Sequence, residues 1–125
     1  MSDNKLYFID SNILIYAVAD DDYKRNIANN LLKSNHIVIS TQVLNEFCNV
    51  ILRKNILSYD DLLKAVKSFS KNFTVVNVDS DLIIYALNVK NRYHYSYWDS
   101  VMIASALNAG VPILYSEDMH HHHVY

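Results

Sequence analysis

Four carboxylates that could hold a divalent cation lie in four separate segments of the chain. Asp10 ends a short apolar run, and Asp118 closely follows another such run. Glu46 lies on the flank of the apolar stripe of one predicted helix, and Asp99 in the first turn of another. Because converging carboxylates repel one another, a fold tolerates them mainly when a cation neutralises them. Oxygen ligands suit Mg²⁺ or Mn²⁺, which can activate water and stabilise the leaving oxygen in phosphodiester cleavage.

Each of these acids also has a purely structural interpretation. Asp10 could end a strand and begin a turn, and Glu46 could be a charge on a helix surface. Asp99 could be the acid of a capping box. Asp118, or Glu117 beside it, could be an ordinary loop acid. The joint arrangement is more specific than any one member, so we predict that these four acids are catalytic and bind metal.

The elements that would position the acids follow from the hydrophobic pattern, in which short apolar runs alternate with segments of helical spacing. Strands are predicted at about residues 5–10, 36–40, 73–78 and 112–116, and helices at about residues 13–19, 21–34, 41–53, 58–70, 80–89 and 96–109. This alternation predicts an α/β fold with a mainly parallel four-stranded sheet and helices on both faces. The functional crevice of such sheets lies outside the carboxyl ends of the strands, where Asp10 and Asp118 are expected.

Composition excludes several classes of protein. The 125 residues are half hydrophobic, so the chain fits one folded domain rather than a disordered segment. A single cysteine excludes a disulfide-stapled domain, and a single glycine excludes a glycine-rich phosphate loop. No apolar run approaches the ~20 residues that span a bilayer, and no signal peptide opens the chain, so we expect a cytoplasmic protein without a membrane partner. With a net charge of −2, any contact with nucleic acid must be local.

Four segments together resemble the PIN domain family, and within it the VapC-type toxins of bacterial toxin–antitoxin pairs. They are residues 8–16 (FIDSNILIY), 40–47 (STQVLNEF), 97–106 (YWDSVMIASA) and 113–119 (ILYSEDM), in the family's order over nearly the whole chain. The resemblance implies a three-layer α/β/α fold. It also implies an endoribonuclease that depends on Mg²⁺ or Mn²⁺ and whose products carry a 5′-phosphate and a 3′-hydroxyl.

The resemblance also assigns roles to individual residues. It makes Asp10, Glu46 and Asp99 metal-binding acids, with Asp118 as the fourth and Glu117 as its near competitor. Ser11 and Ser116 match small hydroxyl positions beside the site. Family members act mostly as homodimers, cleave RNA that is often tRNA or rRNA, and are neutralised by a cognate antitoxin whose tail enters the crevice. The resemblance therefore implies these partners for this chain as well.

The end of the chain departs from the family pattern. Relatives usually continue beyond a segment like 113–119 into a short loop and a fifth strand, whereas residues 120–123 here are four histidines. We therefore divide the chain into a PIN-like nuclease domain, residues 1–119, and a His-rich tail, residues 120–125. The usual fifth edge strand is expected to be missing, which would leave the edge of the fourth strand open.

The segment directly before Asp99, residues 90–98 (KNRYHYSYW), is basic and aromatic. Aromatic faces and arginine planes stack on unpaired bases, so we hypothesise that Arg92 and some of its aromatic neighbours hold RNA near the metal. The same rings could instead pack against the fold or against a dimer partner.

Two other functions compete with the nuclease. The first is a catalytically inert PIN-like module that binds RNA or an antitoxin-type protein, which the expected loss of an edge strand favours and the four acids oppose. The second is a receiver-type phosphoacceptor domain. Its expected lysine after a late strand is lacking, and Glu46 on a helix does not fit it.

Overall fold

The computed structural model describes residues 6–111, 113–116 and 121–124, of which residue 34 and the last two ranges are described by their backbone alone. In chain order the elements are β1 (Leu6–Ile9), α1 (Ser11–Val18), α2 (Asp22–Ser34), β2 (His36–Ser40), α3 (Thr41–Lys54), α4 (Tyr59–Asn72), β3 (Thr74–Val76), α5 (Ser80–Tyr93), α6 (Tyr97–Asn108), β4 (Ile113–Ser116) and β5 (His121–Val124). Within these ranges no helix is long and apolar enough to cross a bilayer.

The strands form one sheet in the order β3-β2-β1-β4-β5. The pairs β1–β2, β1–β4 and β2–β3 are parallel, and β5 runs antiparallel to β4 at the edge. Two groups of helices pack on this sheet: α1 contacts α2 and α3, α3 contacts α4, and α5 lies along α6. The predicted α/β fold with a mainly parallel sheet is confirmed.

The expected absence of a fifth strand is wrong. Residues His121–Val124, assigned from the sequence to a His-rich tail, pair with β4 in the register Ser116↔His121 to Ile113↔Val124. A histidine run says little about pairing, because the hydrogen bonds of a β-ladder are made by the backbone. The sheet therefore has five strands, and the edge of β4 that we expected to be open is covered.

Each of the six described helices begins with an Asp or Ser whose side chain accepts a backbone N–H of the first turn. These capping residues are Asp10, Asp21, Ser40, Ser58, Asp79 and Ser96. Such caps satisfy donors that the helix itself cannot, and each contributes about 1 kcal/mol. Asp10 directly follows β1 and Ser40 is the last residue of β2, so strand ends and helix starts share one edge of the sheet.

A chain of three phenylalanines ties α3 to α4 in the core. The ring of Phe47 on α3 meets Phe69 on α4 edge-on, with centroids 5.2 Å apart. Phe69 in turn stacks on Phe73, with centroids 5.5 Å apart and planes 11° from parallel. Aromatic pairs of this kind add about 0.5–1.5 kcal/mol to the burial of their area. They fix the rotation of α3, and so the direction in which Glu46, next to Phe47, projects.

Leu62 and Leu63 on α4 provide a matched test of this packing. Leu62 is 5% exposed and lies in the core, whereas Leu63 is 43% exposed. We expect Leu62→Ala to lower the free energy of unfolding by about 2–5 kcal/mol, since it leaves a cavity. Leu63→Ala should lower it by less than about 1 kcal/mol. Urea denaturation followed by circular dichroism checks both, and equal losses would contradict this account of the core.

Candidate active site

A cleft of about 540 Å³ opens where β1 and β2 end. Its lining comes from three places in the chain: residues 10–12 after β1, residues 40–50 in β2 and α3, and residues 96–102 around the start of α6. The structure thus brings three of the four predicted acids, Asp10, Glu46 and Asp99, to one cleft. Among the described residues, no Lys, Arg or His lines it.

Asp10 lies at the base of the cleft and is only 6% exposed. Its side chain caps α1, accepting hydrogen bonds from the backbone N–H groups of Asn12 at 3.1 Å and Ile13 at 3.4 Å. Asp10 therefore has the structural role considered from the sequence, since it follows β1 and begins the next element. This role does not exclude a second one, because the same side chain faces the cleft.

Glu46 is held by donors on both carboxylate oxygens. Gln42, one turn earlier on α3, donates to Oε1 at 3.2 Å, and Ser11 of α1 donates to Oε2 at 3.4 Å. Ser11 itself is buried next to Asp10, so its hydroxyl joins α1 to α3 across the cleft. Glu46 is therefore oriented into the cleft rather than left as an unconstrained surface charge.

Asp99 lies in the first turn of α6. Its backbone N–H donates to the hydroxyl of Ser96 at 3.1 Å, which is the first half of a capping box. The second half is absent, because within the described residues the Asp99 carboxylate makes no hydrogen bond and no ion pair. The capping-box interpretation thus accounts for Ser96, but it does not account for the carboxylate of Asp99.

The other predicted residues do not join this set. Asp118 and Glu117 lie outside the described residues, and only the backbone of Ser116 is described. That backbone follows the β1–β4 pair Ile9↔Tyr115, so Ser116 ends β4 at the same edge as Asp10. Arg92 is exposed near the end of α5 with its guanidinium 5.5 Å from the centroid of the Tyr93 ring, and it does not line the cleft.

The donor set fits a cation that prefers oxygen. The described lining offers carboxylates together with Ser, Asn and Gln side chains, and it lacks a basic side chain to neutralise the acids. In the described part of the chain, however, no three His, Cys, Asp or Glu side chains are close enough to form a metal-holding group. The three acids share a cleft without converging on one point, so binding an ion would draw them together.

Three helix N-termini also face the cleft, because the caps of α1, α3 and α6 all line it: Asp10, Ser40 and Ser96. A helix N-terminus carries roughly half a positive elementary charge and favours nearby anions. These termini reduce the repulsion among the acids. Because each cap already accepts at least one N–H of its helix, these termini moderate the negative charge of the cleft rather than make it an anion site.

The family model of the PIN domain matches residues 7–125 of this chain. The chain belongs to the PIN domain family. The resemblance to PIN domains inferred from the sequence is therefore confirmed. Among proteins with curated descriptions, none matches the chain significantly.

Solved structures extend the likeness to VapC toxins. The toxin VapC20 of Mycobacterium tuberculosis, described as cleaving the sarcin–ricin loop, has a TM-score of 0.74 at 22% identity, over 90% of each chain. VapBC2 of Rickettsia felis, bound to a promoter DNA fragment, has a TM-score of 0.63 at 18% identity, covering 89% of this chain and 86% of that one. A toxin–antitoxin complex from Klebsiella pneumoniae has a TM-score of 0.66 at 18% identity, covering 88% and 84%. These likenesses establish a common fold.

Sequence reasoning missed two residues that shape the site of this PIN domain. Gln42 lies one helical turn before Glu46, a spacing at which helix side chains meet, so the pair could have been predicted. Trp98 was noted only as one of several rings before Asp99. Its position in the cleft depends on which part of α6 is open to solvent, and the sequence of this largely buried helix carries no such signal.

Asp10 both caps α1 and contributes a negative charge to the cleft, and these two roles lead to a stability prediction. Asn caps helices about as well as Asp, so Asp10→Asn should keep the start of α1 while removing one of the repelling charges. Asp10→Ala loses the cap as well and should be about 0.5–2 kcal/mol less stable than Asp10→Asn. Urea denaturation of both variants measures the difference. An Ala variant as stable as the Asn variant would show that the cap contributes nothing.

Proposed function

We propose that this protein is a metal-dependent endoribonuclease and the toxin of a toxin–antitoxin pair. The observation that carries the proposal is the meeting of Asp10, Glu46 and Asp99 in one cleft of a PIN domain, without a basic side chain among the described lining residues. Acids that repel one another do not help a fold, so their presence in one place is best explained by a cation that binds there.

Asp10, Glu46 and Asp99 would hold the metal, with Asp118 as the fourth acid and Glu117 as its alternative. Bound Mg²⁺ or Mn²⁺ would supply an activated water and charge stabilisation for the leaving oxygen. Glu46 is oriented for this role by Gln42 and Ser11, whose donated hydrogen bonds fix both of its oxygens.

The substrate phosphate would be bound through the cation, and the positive dipole ends of the helices that begin after Asp10, Ser40 and Ser96 would reduce its repulsion by the acids. Ser11 and Ser116 would be the small hydroxyl residues that lie beside the acids. Arg92 would contact the RNA beyond the cleft, because it is exposed near the end of α5 rather than among the cleft residues.

The nature of the RNA and of the protein partners rests on the family resemblance. VapC20, which shares the fold, is described as cleaving the sarcin–ricin loop, and the structure from Klebsiella pneumoniae is described as a toxin–antitoxin complex. We propose a tRNA or rRNA substrate, a cognate antitoxin, a homodimeric state and a cytoplasmic location. The alternative of an inert PIN-like module has lost its main support, because the edge strand thought to be missing is β5.

A cleavage assay tests the proposal. A mixed tRNA and rRNA pool is incubated with the protein in Mn²⁺, Mg²⁺ or EDTA, and cut ends are mapped by sequencing. We expect cleavage only with metal, and a loss of about 100-fold or more in Asp10→Asn, Glu46→Gln and Asp99→Asn, since each removes a charged metal ligand. Mn²⁺ should raise the melting temperature of the wild type and raise it less in each variant.

Asp60→Asn is the matched control, because Asp60 is an exposed acid in the first turn of α4 outside the described cleft lining. It should cleave as the wild type does. Full activity in Asp10→Asn, or cleavage that persists in EDTA, would refute the metal-dependent site.

A further inference from the structure

Trp98 is the single tryptophan of the chain, and its side chain is 59% exposed. It lines the same cleft as Asp10, Glu46 and Asp99 and immediately precedes Asp99 in the chain. Tryptophan is usually well buried, because its large apolar ring gains most from leaving water. An indole this exposed beside an acidic cleft has a free ring face on which a planar group of a ligand could stack.

The position of Trp98 is fixed by the first turn of α6. The hydroxyl of Ser96 accepts the Asp99 N–H at 3.1 Å, and the hydroxyl of Ser100 donates to the Ser96 carbonyl at 2.8 Å. The ring of Tyr97, packed against the core, meets the indole at a centroid distance of 5.0 Å and an angle of 64°. The indole therefore projects from a rigid element and is supported on one side.

The surface that leads to Trp98 combines cations with further aromatic rings. Lys90 donates to the carbonyl of Tyr95 at 3.2 Å and so braces the loop between α5 and α6. Arg92 lies over the ring of Tyr93, and the rings of Tyr93 and Tyr95 are 6.2 Å apart. Alternating positive charge and aromatic faces suit a polyanion with flat, unpaired bases.

We propose that Trp98 is the stacking platform for an unpaired base next to the cleaved phosphate. This inference rests on the proposed nuclease function. A phosphate bound at the cation that the acids would hold brings its own nucleotide's base to the margin of the cleft, and Trp98 is the aromatic residue of the described cleft lining. Bases within a duplex are already stacked on one another and cannot present a face to the indole.

The lone tryptophan makes a direct measurement possible, because all tryptophan fluorescence comes from Trp98. The full chain is titrated with an oligoadenylate of about eight nucleotides in Ca²⁺ instead of Mn²⁺, because Ca²⁺ takes the same oxygen ligands, and the titration is repeated in EDTA. Parallel titrations use a ribose-phosphate chain of equal length without bases and a duplex of equal charge. We expect quenching by the oligoadenylate alone. Fluorescence anisotropy of end-labelled RNA measures binding independently.

Variants separate stacking from a structural role. Trp98→Ala should raise the KM for a single-stranded substrate by about 5- to 100-fold, the usual loss for one stacked base, with kcat changed less than about threefold. Trp98→Phe keeps a ring and should restore KM to within about threefold of the wild type. The Mn²⁺-induced rise in melting temperature should be the same in both variants, because the acids are untouched. Tyr59→Ala is the control, since Tyr59 is 71% exposed and outside the described cleft lining.

The outcomes distinguish this proposal from the nuclease assignment. Binding and metal-dependent cleavage without quenching would overturn the stacking role alone and leave the nuclease intact; the indole would then be free to serve a protein contact. Equal quenching by the chain without bases would also overturn it. An absence of both RNA binding and cleavage would overturn the two proposals together. The proposal stays testable even if Trp98→Ala folds poorly, because the fluorescence titration uses the wild-type protein.

Discussion

The like charge of Asp10, Glu46 and Asp99 is the constraint on which the arrangement of this cleft depends. In a parallel sheet, strands end and helices begin at the same edge, so the acids lie where helix dipoles are positive. The three N-termini that face the cleft amount to about 1.5 positive elementary charges against three carboxylates. The remaining excess is of the size that one divalent cation neutralises, which is the electrostatic basis of the function proposed for this PIN domain.

The rest of the fold keeps the acids in place despite their repulsion. Asp10 is anchored by two backbone N–H groups of α1, and Glu46 by the side chains of Gln42 and Ser11. Behind Glu46, the contact of Phe47 with Phe69 prevents α3 from rotating. Side chains that are locked by packing and by a second layer of hydrogen bonds keep a site in its working geometry. A change in the core next to Phe47 would therefore reach the cleft through α3.

The sequence predicted most of the elements, because apolar runs alternate clearly with helical spacing and the caps are ordinary Asp and Ser residues. Helix α5 runs to Tyr93 rather than to about residue 89, since its last turn is polar and carries no apolar periodicity. Strand β5 was missed because ladder pairing depends on the backbone, and a run of histidines conceals it. For the site, the presence of Asp10, Glu46 and Asp99 in one cleft follows from their placement at one edge of the sheet. How far apart they remain depends on side-chain directions that spacing does not encode.

Helix α6 explains why chemistry and recognition fall on adjacent residues. From Ser100 to Ala106 it is largely buried, and only its N-terminal part, as far as Met102, borders the cleft. A residue of its first turn has a fixed backbone and an open side chain, so binding to it costs little ordering entropy. Asp99 and Trp98 both occupy this turn, one with a carboxylate that no described residue pairs with and the other with an exposed ring. A nucleotide stacked on the ring would have its phosphate positioned beside the cleft, so that the movement left to make is that of the acids closing on a cation.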